Sequence, residues 1–369
     1  MRLSGALSRL TAYEAGTPLS QVMAQLGLER MVKLASNESP DGPFPEVIAA
    51  IMANLDSLNR YPDGGCLELK TELAAGLRLG LDRIVIGNGS CELLMLLGEA
   101  LLSPGSHMVF PDPSFVVYHT IALARGVVFD AVPLREDGSH DLEAMADALG
   151  PDTRLLVICN PNNPTGSYLD QETLHAFLRE VPRETVVVLD EAYIEFATDP
   201  ARLESVRWLE ELPNLIILRT FSKAYGLAGM RVGYGLGDPE LIRALDKVRQ
   251  PFNVNALAQV AAAEAYRHPH RVAQRRDMVA RERARLGAAF DRLGLTHLPS
   301  ESNFILLRIE GLPVPGEEVP RALLERGVMT RSGYFIGCPG WVRVTVGSDE
   351  ENDLLLAALE DIAGRGISK

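Results

Sequence analysis

Two short stretches of this sequence place reactive side chains directly beyond aliphatic runs that read as buried strands. TVVVL is followed by Asp190-Glu191-Ala192-Tyr193, and LIIL leads into Thr220-Phe221-Ser222-Lys223, with Arg231 eight positions after the lysine. A lysine just past an apolar strand is hard to explain structurally, because lysines seldom occupy such places without a partner. An amine held there suits covalent chemistry with a carbonyl compound, since desolvation lowers its pKa and frees its lone pair. Asp190 puts a carboxylate at the mouth of the same strands, with the Tyr193 phenol three residues on.

Three other segments supply what such an amine would need around it. Gly87-Asn88-Gly89-Ser90-Cys91-Glu92 follows a strand and opens a helix, so backbone N–H groups and the positive helix end converge on a point suited to phosphate. A plain glycine turn with Ser90 as N-cap reads the same residues equally well. HMVF runs on to Pro113-Ser114-Phe115, where Phe115 is either core or a stacking partner. LLVIC runs into Asn160-Pro161-Asn162-Asn163-Pro164-Thr165-Gly166, a turn fixed by two prolines and a glycine. Pyridoxal 5'-phosphate is the one cofactor that uses the whole set: a lysine for the Schiff base, a carboxylate for the pyridine nitrogen, a phosphate cradle and a stacking ring. No GxxxxGK[ST] occurs, and the GNGS turn lacks the GxGxxG spacing of a dinucleotide site.

The elements that must position these residues alternate along the chain. Strands are expected at Arg83–Gly87, His107–Phe110, Val127–Val132, Leu155–Cys159, Thr185–Leu189, Leu215–Arg219 and Arg231–Gly235, with helices such as Cys91–Leu102, Asp141–Leu149 and Gln171–Glu180 between them. Several strands are continuously apolar, as strands covered on both faces should be. The implied class is α/β, a large domain with a mostly parallel seven-stranded sheet. After Pro251 the pattern changes to helices Ala256–Arg267 and Arg271–Leu293, strands NFILLRI and WVRVTV around helix Glu317–Arg326, and a final helix Asp349–Ala363 opened by a Ser348/Glu351 capping box. This reads as a smaller α+β domain. The expected division is an N-terminal arm (1–45) packing across both parts, a large domain (46–250) and a small domain (251–369).

Composition narrows the partners. The 369 residues carry 36 basic and 49 acidic side chains, a net charge of −13, and no basic run, so nucleic acid is not an expected partner. Hydrophobic residues make up 47% and charged ones 23%, which suits a globular protein, and no stretch of about 18 apolar residues marks a membrane span. The four cysteines, Cys66, Cys91, Cys159 and Cys338, show neither a disulfide framework nor zinc spacing, so no metal is expected and the cytoplasm is the expected compartment. The first fifteen residues lack a secretory apolar core.

With these motifs in place, the chain resembles the fold-type I pyridoxal-phosphate aminotransferases and, within them, the histidinol-phosphate aminotransferase family. The resemblance runs from Tyr13 to the last helix through ASNESPDGP, NRYPD, GNGSCE, NPNNPTG, DEAYIEF, RTFSKAYGLAGMRVGY, SNF and WVRVTVGS. It implies that Lys223 forms the Schiff base and then moves the proton at the substrate Cα, that Asp190 pairs with the pyridinium nitrogen, and that Tyr193 and Asn163 bind the 3'-oxygen. Phe115 would stack on the ring. Ser90, Cys91, Ser222 and Arg231 would hold the phosphate, and Tyr61 would reach it from the partner subunit of a homodimer. Arg343 would clamp a substrate carboxylate, with Asn37, Tyr13 and Arg331 at the substrate end. Cys91 departs from the Asp or Asn common in relatives, and Phe115 from tyrosine. The resemblance also admits a phenylalanine aminotransferase or a threonine-phosphate decarboxylase, and a noncatalytic sensor if a winged-helix region were appended; only about 30 residues precede LASNESP.

Overall fold

The computed structural model describes residue 10 and residues 19–364. Strand β1 (Val32–Lys33) belongs to the N-terminal segment; β2 (Ile84–Gly87), β3 (His107–Asp112), β4 (Val128–Pro133), β5 (Thr153–Cys159), β6 (Val186–Asp190), β7 (Leu215–Thr220) and β8 (Gly233–Leu236) build the main sheet. β9 (Phe304–Arg308), β10 (Val328–Met329), β11 (Arg331–Ser332) and β12 (Trp341–Thr345) follow. The seven-stranded sheet has the order β2-β8-β7-β6-β5-β3-β4. Its neighbours from β7 to β4 pair in parallel, while β8 runs antiparallel to both β2 and β7. Helices cover both faces, and the central strands are buried along nearly their whole length, which accounts for their unbroken aliphatic runs.

All seven expected strands lie within two residues of their expected bounds. The seventh begins at Gly233 rather than Arg231, because Arg231 adopts a left-handed backbone (φ 58°) and cannot extend the ladder. Gly233 then has to be glycine: a Cβ there would lie 2.7 Å from the Ser90 amide nitrogen and 2.9 Å from the Arg219 carbonyl.

The three-stranded sheet β11-β12-β9 is antiparallel, and β1 pairs in parallel with β10. The long helix spans Pro269–Arg292, two residues earlier than expected because Pro269 takes the first helical turn, where its missing N–H is harmless. Helix Ala256–Tyr266 packs on helices Pro45–Ala53 and Leu67–Leu77, so its contacts lie with the region before Pro251 although the sequence pattern changes there. The last helix, Asp349–Ile362, opens with the expected capping box. The segment after β1 bonds to both the three-stranded and the seven-stranded part: the Leu34 carbonyl accepts from the Thr345 amide, and the Ser36 carbonyl accepts from Lys223.

Candidate active site

A sheet of parallel strands delivers every C-terminal end to one edge, where open α/β folds place ligands. Here β3, β5, β6 and β7 end around a cavity of about 240 Å³. The antiparallel β8 starts where its neighbours stop, so Arg231, just before it, arrives at the same place. Nine of the expected residues line this cavity: Ser90, Cys91, Phe115, Asn163, Asp190, Tyr193, Ser222, Lys223 and Arg231.

One end of the cavity is a cradle for an anion. Helix Ser90–Leu101 is capped by Gly89 (φ 78°) with no side chain bonded to its first amides, so Ser90 is the first helical residue and not the N-cap. The free amides and the helix dipole face the cavity with the Arg231 guanidinium, which donates to Ser222 Oγ (3.3 Å). Thr220 Oγ1 donates to the same hydroxyl at 3.0 Å. A Cβ on Gly89 would come within 2.5 Å of Arg231 Nη2, so the arginine closes over a turn that only glycine permits. Cys91 contributes its position at the helix start, and burial raises its thiol pKa.

The opposite wall holds Asp190, 2% exposed. Its carboxylate accepts from the Tyr118 hydroxyl (2.8 Å) and the Ala192 amide (3.2 Å) and forms no ion pair among the described residues. Burial pushes its pKa up to about 6. A buried carboxylate with hydrogen bonds and no cation is what a ring N–H⁺ would complete, because the missing charge stabilises it most in a low dielectric. Phe115 is half-buried at the cavity wall, edge-on to Tyr118 with centroids 5.9 Å apart. The donor set therefore fits pyridoxal phosphate: a cradle for the dianion, a stacking face and an unpaired acid for the ring nitrogen.

Lys223 lies between the two ends. Its amine donates to the Ser36 carbonyl at 3.1 Å and lies 5.6 Å from the centre of the Tyr193 ring. Burial first, then the Arg343 guanidinium, pull its pKa down to about 8, so a reactive neutral fraction exists near neutral pH. The Tyr193 hydroxyl accepts from Asn37 Nδ2 (3.0 Å), and burial raises its pKa to about 12, keeping it a protonated hydrogen-bond donor. Arg343, 7% exposed, donates to Asn163 Oδ1 and to the Ala35 carbonyl, 3.0 Å away, with its guanidinium 5.3 Å from the Phe304 centroid.

Five expected residues do not line the cavity. Asn37 is fully buried with its amide committed to Tyr193 and Thr345. Arg343 stands behind Asn163. Arg331 lies opposite Arg343 in the β11/β12 register, with Phe335 against its guanidinium at 5.5 Å. Tyr61 is 83% exposed and stacks on Phe252. Tyr13 lies outside the described residues. Sequence reasoning missed Tyr118, Ser36, Glu38, Thr220 and Ala192. Tyr118 looks locally like helix core and meets Asp190 only through the fold, and Ser36 acts through its carbonyl, so neither leaves a local signal.

Residues 29–359 match the family of class I and II aminotransferases. The chain belongs to it. This aminotransferase is 43% identical over 350 residues to the histidinol-phosphate aminotransferase of Brevibacillus brevis, with 95% of each chain covered. It is 44% identical over 353 residues to histidinol-phosphate aminotransferase 2 of Ralstonia nicotianae, covering 95% of this chain and 94% of that one. In three dimensions it matches the pyridoxal-5'-phosphate complex of histidinol-phosphate aminotransferase from Sinorhizobium meliloti with a TM-score of 0.88 at 30% identity, 98% of both chains being covered. An aspartate aminotransferase from Thermus thermophilus matches at a TM-score of 0.83 and 25% identity. The fold type, the transaminase family and the pyridoxal-phosphate cofactor expected of the sequence are met, and no described helix is long and apolar enough to cross a membrane.

Proposed function

We propose that this aminotransferase transfers the amino group of histidinol phosphate to 2-oxoglutarate, giving imidazole acetol phosphate and glutamate, as a step of histidine biosynthesis in the cytoplasm. The observation that carries the substrate is the full-length similarity to enzymes of that name at 43–44% identity. The paired arginines support it. Like charges directly opposite in a sheet repel, so placing Arg331 across from Arg343 is sensible where an anion sits between or beside them. Histidinol phosphate brings a phosphate dianion and 2-oxoglutarate two carboxylates, and planar guanidinium forks accept either.

When bound, pyridoxal phosphate supplies an electron sink for the substrate Cα–H bond. Asp190 holds a positive charge at the ring nitrogen and so keeps that sink effective. Tyr193, set by Asn37, and Asn163, set by Arg343, would bind the 3'-oxygen. The Arg231, Ser222 and helix cradle would anchor the phosphate, and Lys223 would act as the base and acid that moves the proton at the substrate Cα.

The working unit in this reading is a homodimer with shared sites. Tyr61, Met52, Leu58 and Leu67 are exposed apolar side chains of one region, with Phe252 stacked on Tyr61; such a patch calls for a cover, and a second copy would bring Tyr61 to its partner's cradle. The division into an arm, a large and a small domain belongs to the same reading. The deciding experiment is a substrate panel on purified enzyme: histidinol phosphate should give the highest kcat/KM, and a preference for phenylalanine with no turnover of histidinol phosphate would refute the substrate while leaving the transaminase.

A further inference from the structure

Arg275, in the second turn of helix Pro269–Arg292, is 7% exposed and makes no ion pair among the described residues. Its donors go to main-chain carbonyls instead: Nη1 to Ala224 (3.1 Å), and Nη2 to Asp41 (3.3 Å) and Gly42. Its guanidinium lies 4.5 Å from the centre of the Phe44 ring. Burial pulls its pKa down and the Asp41 carboxylate, near but not paired with it, offsets only part of that, so a fold that keeps the cation there is using its geometry. The geometry also constrains a neighbour, since a Cβ on Gly226 (φ 71°) would lie 2.4 Å from Arg275 Nη1.

What Arg275 joins is specific. Ala224 is the residue after Lys223. Asp41 and Gly42 end the segment whose start supplies the Ser36 carbonyl to the Lys223 amine and the Asn37 amide to Tyr193. The contacts form a closed circuit from Arg275 through Ala224 and Lys223 to Ser36, along the chain to Asp41, and back. Lysine in its place would offer a point charge with no fork for carbonyls on two separate segments.

We propose that Arg275 is a positioning residue for amino transfer, locking the main chain under Lys223 to the 36–42 segment so that the lysine amine and Asn37 stay in register at the cavity when Lys223 leaves the cofactor. The inference rests on the role assigned to Lys223 above. It predicts that holoenzyme carrying Arg275→Met loses kcat on the order of 10- to 100-fold with a smaller change in KM, the scale of a small misplacement of a reacting group. The pH midpoint of the cofactor's visible absorption band should move, amide hydrogen exchange in residues 36–42 and 223–226 should accelerate, and Arg275→Lys should recover only part of either.

Gly226→Ala, which leaves Arg275 present but displaces it, should show the same spectral shift and exchange, and the double variant should be no worse than the stronger single one. A folded Arg275→Met enzyme with an unchanged band midpoint, kcat and exchange would overturn the proposal, whatever its melting temperature. If Arg275→Met does not fold, an unchanged band and exchange in Gly226→Ala overturns it equally. Borohydride reduction and peptide mapping of the unaltered enzyme separates the two readings: label on another lysine removes Lys223, whereas label on Lys223 with unaltered variants removes only Arg275.

Discussion

The cavity at the sheet edge and the arginine pair beyond it, Arg331 and Arg343, are built by different means. The cofactor end hangs from strands of four to seven residues in one seven-stranded sheet, with the cradle, Asp190 and Lys223 each within a few residues of a strand end. The residues proposed above to take the substrate hang from the two-residue β11, from β12, five residues long, which carries Arg343, and from the segment that follows the two-residue β1. A strand buried on both faces holds its last residue by many cooperative contacts, and a two-residue strand by very few. In the proposed reading the first set fixes the chemistry at the cofactor and the second recognises the substrate.

The sharpest break in that contrast is Lys223→Ala. Turnover should fall at least about 10³-fold, because acid, base and covalent anchor vanish together. Borohydride should no longer fix the cofactor to the chain, and a surviving label would place the anchor elsewhere. Asp190→Asn comes next, with the cofactor retained and the barrier raised by about 3–4 kcal/mol, the scale of other preorganised electrostatic partners. That variant has a second signature without cofactor. The Asp190 pKa is raised to about 6 in the folded chain, so the native state holds a proton that the unfolded state releases, and stability declines as pH rises from about 4 to about 6. Cofactor-free Asp190→Asn should lose that decline, and thermal melts at pH 4 and pH 7 measure it. Matching slopes in the variant and the unaltered chain would refute the assignment.

The substrate end should respond less and more selectively. Arg331→Ala should weaken kcat/KM for histidinol phosphate by about 2 kcal/mol, the scale of a lost charge-assisted contact, and leave any phenylalanine turnover nearly unchanged. Equal losses for both substrates would erase the distinction between the two ends. The smallest effect is expected from Tyr61→Phe, about 1 kcal/mol in cofactor affinity from one hydroxyl, read by titration of the cofactor-free enzyme. Tyr61→Ala mixed with Lys223→Ala should restore activity in hybrids, since one site in each hybrid pair receives both intact residues. Confirmed hybrids without activity would argue against sharing.

The same contrast decides what the sequence revealed. Asp190, Ser222 and Lys223 were legible because each follows an aliphatic run whose end is plain from composition. Tyr118 was not, since it meets Asp190 across 72 positions and looks locally like core. Arg331 and Arg343 are both visible as residues, but their facing one another is a property of strand register that no local pattern encodes. Arg231 shows the opposite error: its neighbours favour a strand, and the need to aim a guanidinium over Gly89 turned its backbone left-handed. Tertiary demands override local preference where the site is assembled.

The reversed direction of β8 has a consequence for how the holoenzyme comes apart. Thr220 and Gly233 are register partners, so residues 221–232 form the tip of a hairpin, and Lys223 and Arg231 both ride on that single tip. Only β2 lies outside β8 in the sheet, and β2 in turn leads into the helix that completes the cradle. Fraying from that border would loosen the grip on the cofactor's phosphate at several points in one event, while Asp190, on an interior strand, stayed in place. Heat or denaturant should then strip the cofactor before the interior of the sheet melts, giving a loss of colour that precedes the main unfolding transition.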